Sequence, residues 1–181
     1  MKITETSLKG CFIIQPRLFE DDRGVFFESY QQKKFEEAIG GQINFVQDNI
    51  SVSKKGVIRG LHLQKGVHAQ SKLVQVVHGE VLDVIVDLRK DSETFGQHYK
   101  LNLSGNNRTS IFIPKGMAHG FVTLSDEATF MYKCDAFYDS ASESGIIYND
   151  LDLQIDWQCP IATPIISEKD YQLPTFKEFF K

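Results

Sequence analysis

Leu73-Val74-Gln75-Val76-Val77-His78-Gly79-Glu80-Val81-Leu82-Asp83-Val84-Ile85-Val86-Asp87-Leu88 is the stretch on which the fold turns. Residues 73–77 and 81–88 are two runs rich in Val, Ile and Leu. β-Branched side chains pack well on a pleated backbone, and two such runs around a glycine-containing turn predict a β-hairpin. In the second run Leu82, Val84, Val86 and Leu88 recur at every second position, so they share one face of a strand. Outward from this pair the same signal repeats over residues 11–14, 25–30, 99–103, 109–113, 120–124 and 128–134. Turn-forming stretches separate several of these runs, among them Ser104-Gly105-Asn106-Asn107, Pro114-Lys115-Gly116 and Ser125-Asp126-Glu127. Short strands at about ten-residue spacing predict an all-β antiparallel barrel or sandwich. Helices are few. Residues 32–39 form one candidate, stopped by Gly40-Gly41, and residues 175 onward form another.

The chain has 181 residues, the length of one domain, expected to span residues 1–181. Apolar residues are 41% and charged residues 24%, which excludes disordered, collagen-like and disulfide-scaffold classes. Twenty basic residues against 24 acidic ones give a net charge of -4. A general nucleic-acid or anionic-membrane binder needs a basic face, so neither partner is expected. A small anion held by a few cations in one cleft remains compatible. No apolar run approaches the ~18 residues of a membrane span, and residues 1–10 lack the apolar core of a signal peptide. Cys11, Cys134 and Cys159 have no CxxC spacing and are expected to be reduced thiols of a cytoplasmic protein.

A barrel of this kind can place a site at its mouth, lined by alternate residues of several strands. Five histidines are candidates for it: His62, His68, His78, His98 and His119. No H-x-H pair exists, so a transition-metal site of the barrel type is not expected. His78 and His98 lie in polar or turn-like sequence and read as exposed or structural. Arg59 and His62 interrupt the apolar run 57–63, and Lys72 follows ten residues on. This reads either as a satisfied core histidine beside surface cations or as a base beside anion-binding cations. Strand parity puts Arg59 and His62 on opposite faces unless Gly60 introduces a bulge. His119 heads a strand after the Pro114-Lys115-Gly116 turn. Tyr132 is either a core aromatic or an acid. Gln47, Asp48 and Asn49 either cap turns or read the imide edge of a pyrimidine, since amides both donate and accept.

Taken in order, several segments resemble the dTDP-4-dehydrorhamnose 3,5-epimerase family of the cupin superfamily. They include Asp22-Arg23-Gly24-Val25-Phe26-Phe27-Glu28, Gln47-Asp48-Asn49, Gly56-Val57-Ile58-Arg59-Gly60-Leu61-His62 and His68-Ala69-Gln70-Ser71-Lys72-Leu73-Val74. Ile113-Pro114-Lys115-Gly116-Met117-Ala118-His119-Gly120-Phe121, Tyr132-Lys133, Ile155-Asp156-Trp157 and Ser167-Glu168-Lys169-Asp170 follow, so the likeness covers nearly the whole chain. It implies a cupin-type jelly-roll barrel without metal or cofactor, working as a homodimer on a dTDP-4-keto-6-deoxy sugar. By the same resemblance His62 is the base, Tyr132 the proton donor, Asp170 the carboxylate paired with His62, and Lys72 the cation near the keto oxygen. Arg23, Arg59, His119 and Lys169 are implied near the sugar nucleotide. Glu28, Gln47, Asp48 and Asn49 match the nucleotide-binding region, Tyr138 the aromatic that stacks on thymine, and Glu143 a further contact. Phe26 or Glu28 is expected near the other subunit's cleft. The chain departs from the family pattern at Leu63, often aromatic; at Gly66-Val67, often Pro-Pro; and after Tyr138, where Ser144 stands in place of the usual arginine before the glycine. A single-carbon epimerase, a ketoisomerase and a non-catalytic sugar-nucleotide binding module are the alternatives that the resemblance leaves open.

Overall fold

In the computed structural model, which describes residues 1–181, Gly79 does not close a hairpin: the chain leaves one sheet there and enters another. The strands are β1 (Lys2–Glu5), β2 (Phe12–Gln15), β3 (Leu18–Asp21), β4 (Gly24–Phe27), β5 (Gln47–Lys54), β6 (Ile58–Gln64) and β7 (Lys72–His78). They continue as β8 (Glu80–Asp87), β9 (His98–Ser104), β10 (Ser110–Ile113), β11 (Met117–Thr123), β12 (Glu127–Cys134) and β13 (Glu143–Gly145). Three short helices, α1 (Gln32–Ile39), α2 (Glu168–Tyr171) and α3 (Phe176–Phe179), complete the fold. β7 pairs with β10 and β12 in a six-stranded sheet ordered β1-β2-β10-β7-β12-β5. β8 pairs with β9 and β11 in a five-stranded sheet ordered β13-β6-β11-β8-β9. The expected hairpin therefore fails while both strands stand. A crossing between sheets needs a sharp change of direction, and Gly79 supplies it with φ +75°. A Cβ there would run into the Glu127 carbonyl oxygen, so only glycine fits.

All pairings in these two sheets are antiparallel, and the alternation of sheets along the chain makes the cupin-type jelly roll. Its inner faces meet through Val74, Val76, Val81, Ile85, Phe121 and Phe130, all buried. The run 81–88 proves to be buried on both faces. Val81 and Ile85 point into the barrel, whereas Leu82, Val84, Val86 and Leu88 pack outward beneath Leu153 and Trp157 of the C-terminal segment. That segment also carries α2 and α3, the latter held by a capping box between Thr175 and Glu178. On the far side α1 covers part of the six-stranded sheet, burying Phe35 against Ile14, Leu73 and Phe112. α1 ends as its sequence predicts, with Gly40 in the left-handed conformation returning its N–H to the Glu36 carbonyl. β3 and β4 form a separate two-stranded hairpin whose Phe19 and Phe26 are exposed. The three cysteines are free thiols, and no helix is long and apolar enough to cross a membrane.

Candidate active site

The barrel interior opens into a cavity of about 670 Å³, and the reason His62 faces it together with Arg59 lies in the register of β6. His62 is opposite His119 of β11, but Arg59 is opposite Phe121, so three steps on β6 face two on β11. This is the bulge that strand parity requires. Ile58 and Leu61 both point outward into the apolar layer, leaving Arg59 and His62 to share the inner face. Gly60 sits at the slip with φ +123°, and a Cβ on it would lie 2.5 Å from the Gly120 Cα and 2.8 Å from the His119 carbonyl oxygen. The close approach of β6 to β11 therefore depends on this glycine.

His62 meets Asp170 from a segment 108 residues later, with Nε2 2.7 Å from Oδ1. The second carboxylate oxygen accepts the Gly60 N–H at 3.3 Å, and the Asp170 backbone N–H donates to the Ser167 hydroxyl that caps α2. Burial pushes the Asp170 carboxyl up, but the bonds from His62, Gly60 and Ser167 outweigh it and hold the group below the ordinary aspartate value. Asp170 is thus a buried carboxylate that orients the imidazole.

Lys72 opens β7 and projects into the same cavity, its Nζ 5.8 Å from the centre of the Tyr132 ring. Burial pushes its ammonium below the ordinary lysine value, against the opposing pull of Cys134, Asp83 and Glu143. Tyr132 stands on the adjacent strand β12, opposite Val74 of β7 and Asn49 of β5. Burial also raises the Tyr132 phenol, with Cys134 adding to the rise and Arg59 opposing it. Arg59 itself is steadied by its Nε–H, which donates to the Ser53 hydroxyl at 3.0 Å.

His119 lies at the cavity floor and is buried. Its Nε2 is 2.7 Å from Asp83 Oδ1, and its ring stacks on Phe130 at 5.8 Å between centroids. Asp83 was not among the residues the sequence singled out. The signal was present: a carboxylate in a run of apolar residues, out of phase with Leu82, Val84 and Val86.

At the rim Glu143 of β13 accepts from both the Tyr138 hydroxyl, at 2.6 Å, and the Lys169 ammonium. Partial burial would raise the Glu143 carboxyl, but the Lys169 and Tyr138 bonds lower it on balance. Gln47 Oε1 accepts the Tyr138 backbone N–H at 3.0 Å while its amide donates to Asn49 Oδ1, so β5 holds the Tyr138 loop. Tyr138, Gln47, Asn49 and Glu143 line a recess of about 260 Å³ that shares His62, Lys72 and Tyr132 with the main cavity.

Four expected residues do not reach either space. Asp48 falls on the opposite face of β5 from Gln47 and Asn49 and pairs with Lys133 at 2.9 Å. Arg23 pairs with Asp21 on the β3–β4 hairpin, its side chain 90% exposed. Phe26 on the same hairpin is 68% exposed, and Glu28 pairs with Lys34 at 2.9 Å. No group of three or more His, Cys, Asp or Glu side chains is arranged to hold a metal ion.

Comparison with known proteins places this geometry. The family model for dTDP-4-dehydrorhamnose 3,5-epimerase matches residues 5–178. A dTDP-4-dehydrorhamnose 3,5-epimerase from Salmonella typhimurium is 50% identical over 175 residues, covering 96% of this chain and 94% of that protein. The crystal structure of the enzyme of that name from Elizabethkingia anophelis superposes with a TM-score of 0.95 at 56% identity, covering 98% of this chain and 97% of that one. A dTDP-6-deoxy-D-glucose-3,5-epimerase from Legionella pneumophila, solved in complex with dTDP-4-keto-L-rhamnose, superposes at 0.93 with 46% identity, covering 97% and 93% of the two chains. With the family model spanning nearly its whole length and relatives of this identity on either side, this chain belongs to the dTDP-4-dehydrorhamnose 3,5-epimerase family.

Proposed function

We propose that this chain converts dTDP-4-dehydro-6-deoxy-D-glucose into dTDP-4-dehydro-L-rhamnose by inverting C3 and C5, a step of dTDP-rhamnose biosynthesis in the cytoplasm. The observation that carries the reading is the His62–Asp170 pair facing the same cavity as Lys72 and Tyr132. The 4-keto group acidifies the C–H bonds on either side of it. Asp170 accepts the Nε2–H of His62, which fixes the tautomer and leaves Nδ1 with the lone pair that takes the proton. The electron pair of the broken C–H bond moves into the enolate, whose oxygen Lys72 stabilises. Tyr132 then delivers its phenolic proton to the opposite face of the carbon, and that face change is the inversion. Its raised pKa keeps the proton in place at neutral pH until the carbanion forms, and Arg59 tempers the phenolate left behind. Solvent exchange returns His62 and Tyr132 to their starting states, so no net redox change occurs, and the cycle repeats at the second carbon.

The remaining residues bind the nucleotide. Arg59 and Lys169 are the cations available to the diphosphate at the cavity rim, and Tyr138, Gln47 and Asn49 offer a stacking ring and amides to the base. Arg23, Phe26 and Glu28 have no place in their own chain's cavity, and the hairpin that carries them exposes Leu18, Phe19, Val25 and Phe26. We place them in the partner's cleft of a homodimer, with Asp48 supporting β5 from outside. Isolated exposed apolar side chains are ordinary, but such a cluster on one hairpin marks an interface. A dimer by light scattering at micromolar concentration is expected, and a monomer contradicts this arrangement. The activity is tested by NMR of dTDP-4-dehydro-6-deoxy-D-glucose after incubation with the protein. Ring couplings of the L-rhamno product are expected. Unchanged sugar, a single inverted carbon or a shifted ketone contradicts the reading.

A further inference from the structure

Asp83 is completely buried on β8, with its side chain turned into the barrel between Val81 and Ile85. One oxygen is bonded to His119, and the other, Oδ2, has no hydrogen-bond partner. A buried carboxylate oxygen without a partner is costly, so it calls for a reason. Lys72 enters the same interior from the facing sheet and forms no ion pair within 4.0 Å.

We propose that Asp83 is a positioning residue of this site, holding His119 with one oxygen and supplying with the other the negative charge that keeps the Lys72 ammonium protonated in the desolvated cavity. The neighbours of Lys72 leave few alternatives. From β12 it is faced by Tyr132 and Cys134, from β13 by Glu143, from β6 by Arg59 and His62, and from β11 by His119. Burial pushes the Cys134 thiol up, so it carries no charge at neutral pH. The Glu143 carboxylate is already paired with Lys169, and the Asp170 carboxylate of α2 with His62. Arg59 can only repel the ammonium. Asp83 is then the one interior carboxylate with an oxygen free of any partner, its other oxygen being taken by His119, and it is among the groups that favour the charged lysine. An enolate oxygen needs a charged lysine, whereas a lysine neutralised by burial would offer it only a weak dipole.

The kinetic side of this inference rests on the epimerase reading; the spectroscopic side does not. In protein carrying ¹³Cε-lysine, the Lys72 midpoint is read by NMR without any turnover. Asp83→Asn is expected to lower that midpoint by about one pH unit, the effect of removing a single charge across a protein interior. The alkaline limb of kcat/KM should move down by the same amount, with kcat falling more than KM rises. A purely structural role would lower the melting temperature and leave the Lys72 midpoint where it was, and that result overturns the proposal. Asp83→Asn with His119→Asn puts two mutually bonding amides in the same space and gives a second variant should the first not fold. A lowered Lys72 midpoint in the folded variant supports the proposal even if the protein epimerises nothing. Failure of both variants to fold would make Asp83 a part of the core's architecture and reject the positioning role.

Discussion

Asp170→Asn is the substitution that separates an oriented histidine from an activated one. The two side chains are almost the same size, and Asp170 is only 4% exposed, so packing is little changed. What disappears is a negative charge bonded to His62 at 2.7 Å. With the charge centres about 4 Å apart and an effective dielectric near 20, the attraction between carboxylate and imidazolium is about 4 kcal/mol. Each 1.4 kcal/mol is tenfold in rate, and partial solvation of His62 trims the total, so a loss of about 10²–10³ in kcat is expected. Ground-state binding of the nucleotide does not involve Asp170, so dissociation of dTDP should change less than threefold, a bound set by roughly 0.6 kcal/mol. The assay is deuterium uptake from heavy water at the sugar carbons, followed by NMR, with dTDP affinity measured separately by calorimetry. A decline in kcat of less than about fivefold would show that the carboxylate does not stabilise the imidazolium, and the proton-abstraction scheme would lose its second member. The same variant should also lose acid sensitivity. The Asp170 pKa is depressed in the folded protein, so its contribution to stability is present above the unfolded aspartate value of about 3.9 and fades as pH falls through the folded one.

Tyr132→Phe removes one hydroxyl and keeps the ring, so His62 can still take a proton and return it to the same face; deuterium exchange with inversion slowed about 10²–10⁴-fold is expected, and unimpaired inversion would reduce Tyr132 to a packing aromatic. Gly60→Ala places a methyl against the backbone of Gly120 at a positive φ, and a cost of about 3 kcal/mol or more is expected in chemical denaturation; a loss below 1 kcal/mol, on the scale of ordinary surface changes, would mean that β6 and β11 do not need this close approach. Asp87, beyond the barrel's other end, is completely buried and bonded by Arg89, Ser92 and Thr94 at 2.6–2.8 Å. Burial alone would raise it, but these bonds hold it at about 2. Its contribution of about 2 kcal/mol is fully present above pH 4 and lost between about pH 4 and pH 2, so the difference in melting temperature between the parent and Asp87→Asn should shrink over that window; a constant difference would refute the assignment.

An all-β antiparallel barrel or sandwich is legible in the sequence because strand spacing and two-residue periodicity are local properties, whereas the jelly roll itself is implied only by the family resemblance. The partners of each strand are not legible. Residues 73–77 and 81–88 look like one hairpin because adjacent strands usually pair, and only the sterics at Gly79, set by the Glu127 carbonyl from a distant strand, send them to different sheets. The site shows the same division. Arg59 and His62 stood out as polar intrusions, but their shared face depends on a one-residue slip against β11 that no local pattern encodes. The pairing of His62 with Asp170 joins residues 108 positions apart, and it came from family resemblance, not from periodicity. Asp83 does not stand out in the sequence, because the period-two pattern of Leu82, Val84 and Val86 hides the residues of the other face. Asp48 shows the converse: it lies within Gln47-Asp48-Asn49, but strand alternation turns it away from the cavity that its two neighbours face. Arg23 and Phe26 lie on a hairpin that pairs with neither large sheet, and Glu28 directly follows it, so none of them meets the cavity of its own chain.

The central claim is that one His62–Asp170 pair removes the protons from both carbons flanking the ketone. It is tested most directly by counting deuterium at C3 and C5 of dTDP-4-dehydro-6-deoxy-D-glucose incubated in heavy water with the parent protein and with His62→Ala. One deuterium at each of the two carbons is expected for the parent and none at either for the variant. Continued exchange at C3 or C5 with His62→Ala would mean that another base acts there, and would contradict the claim.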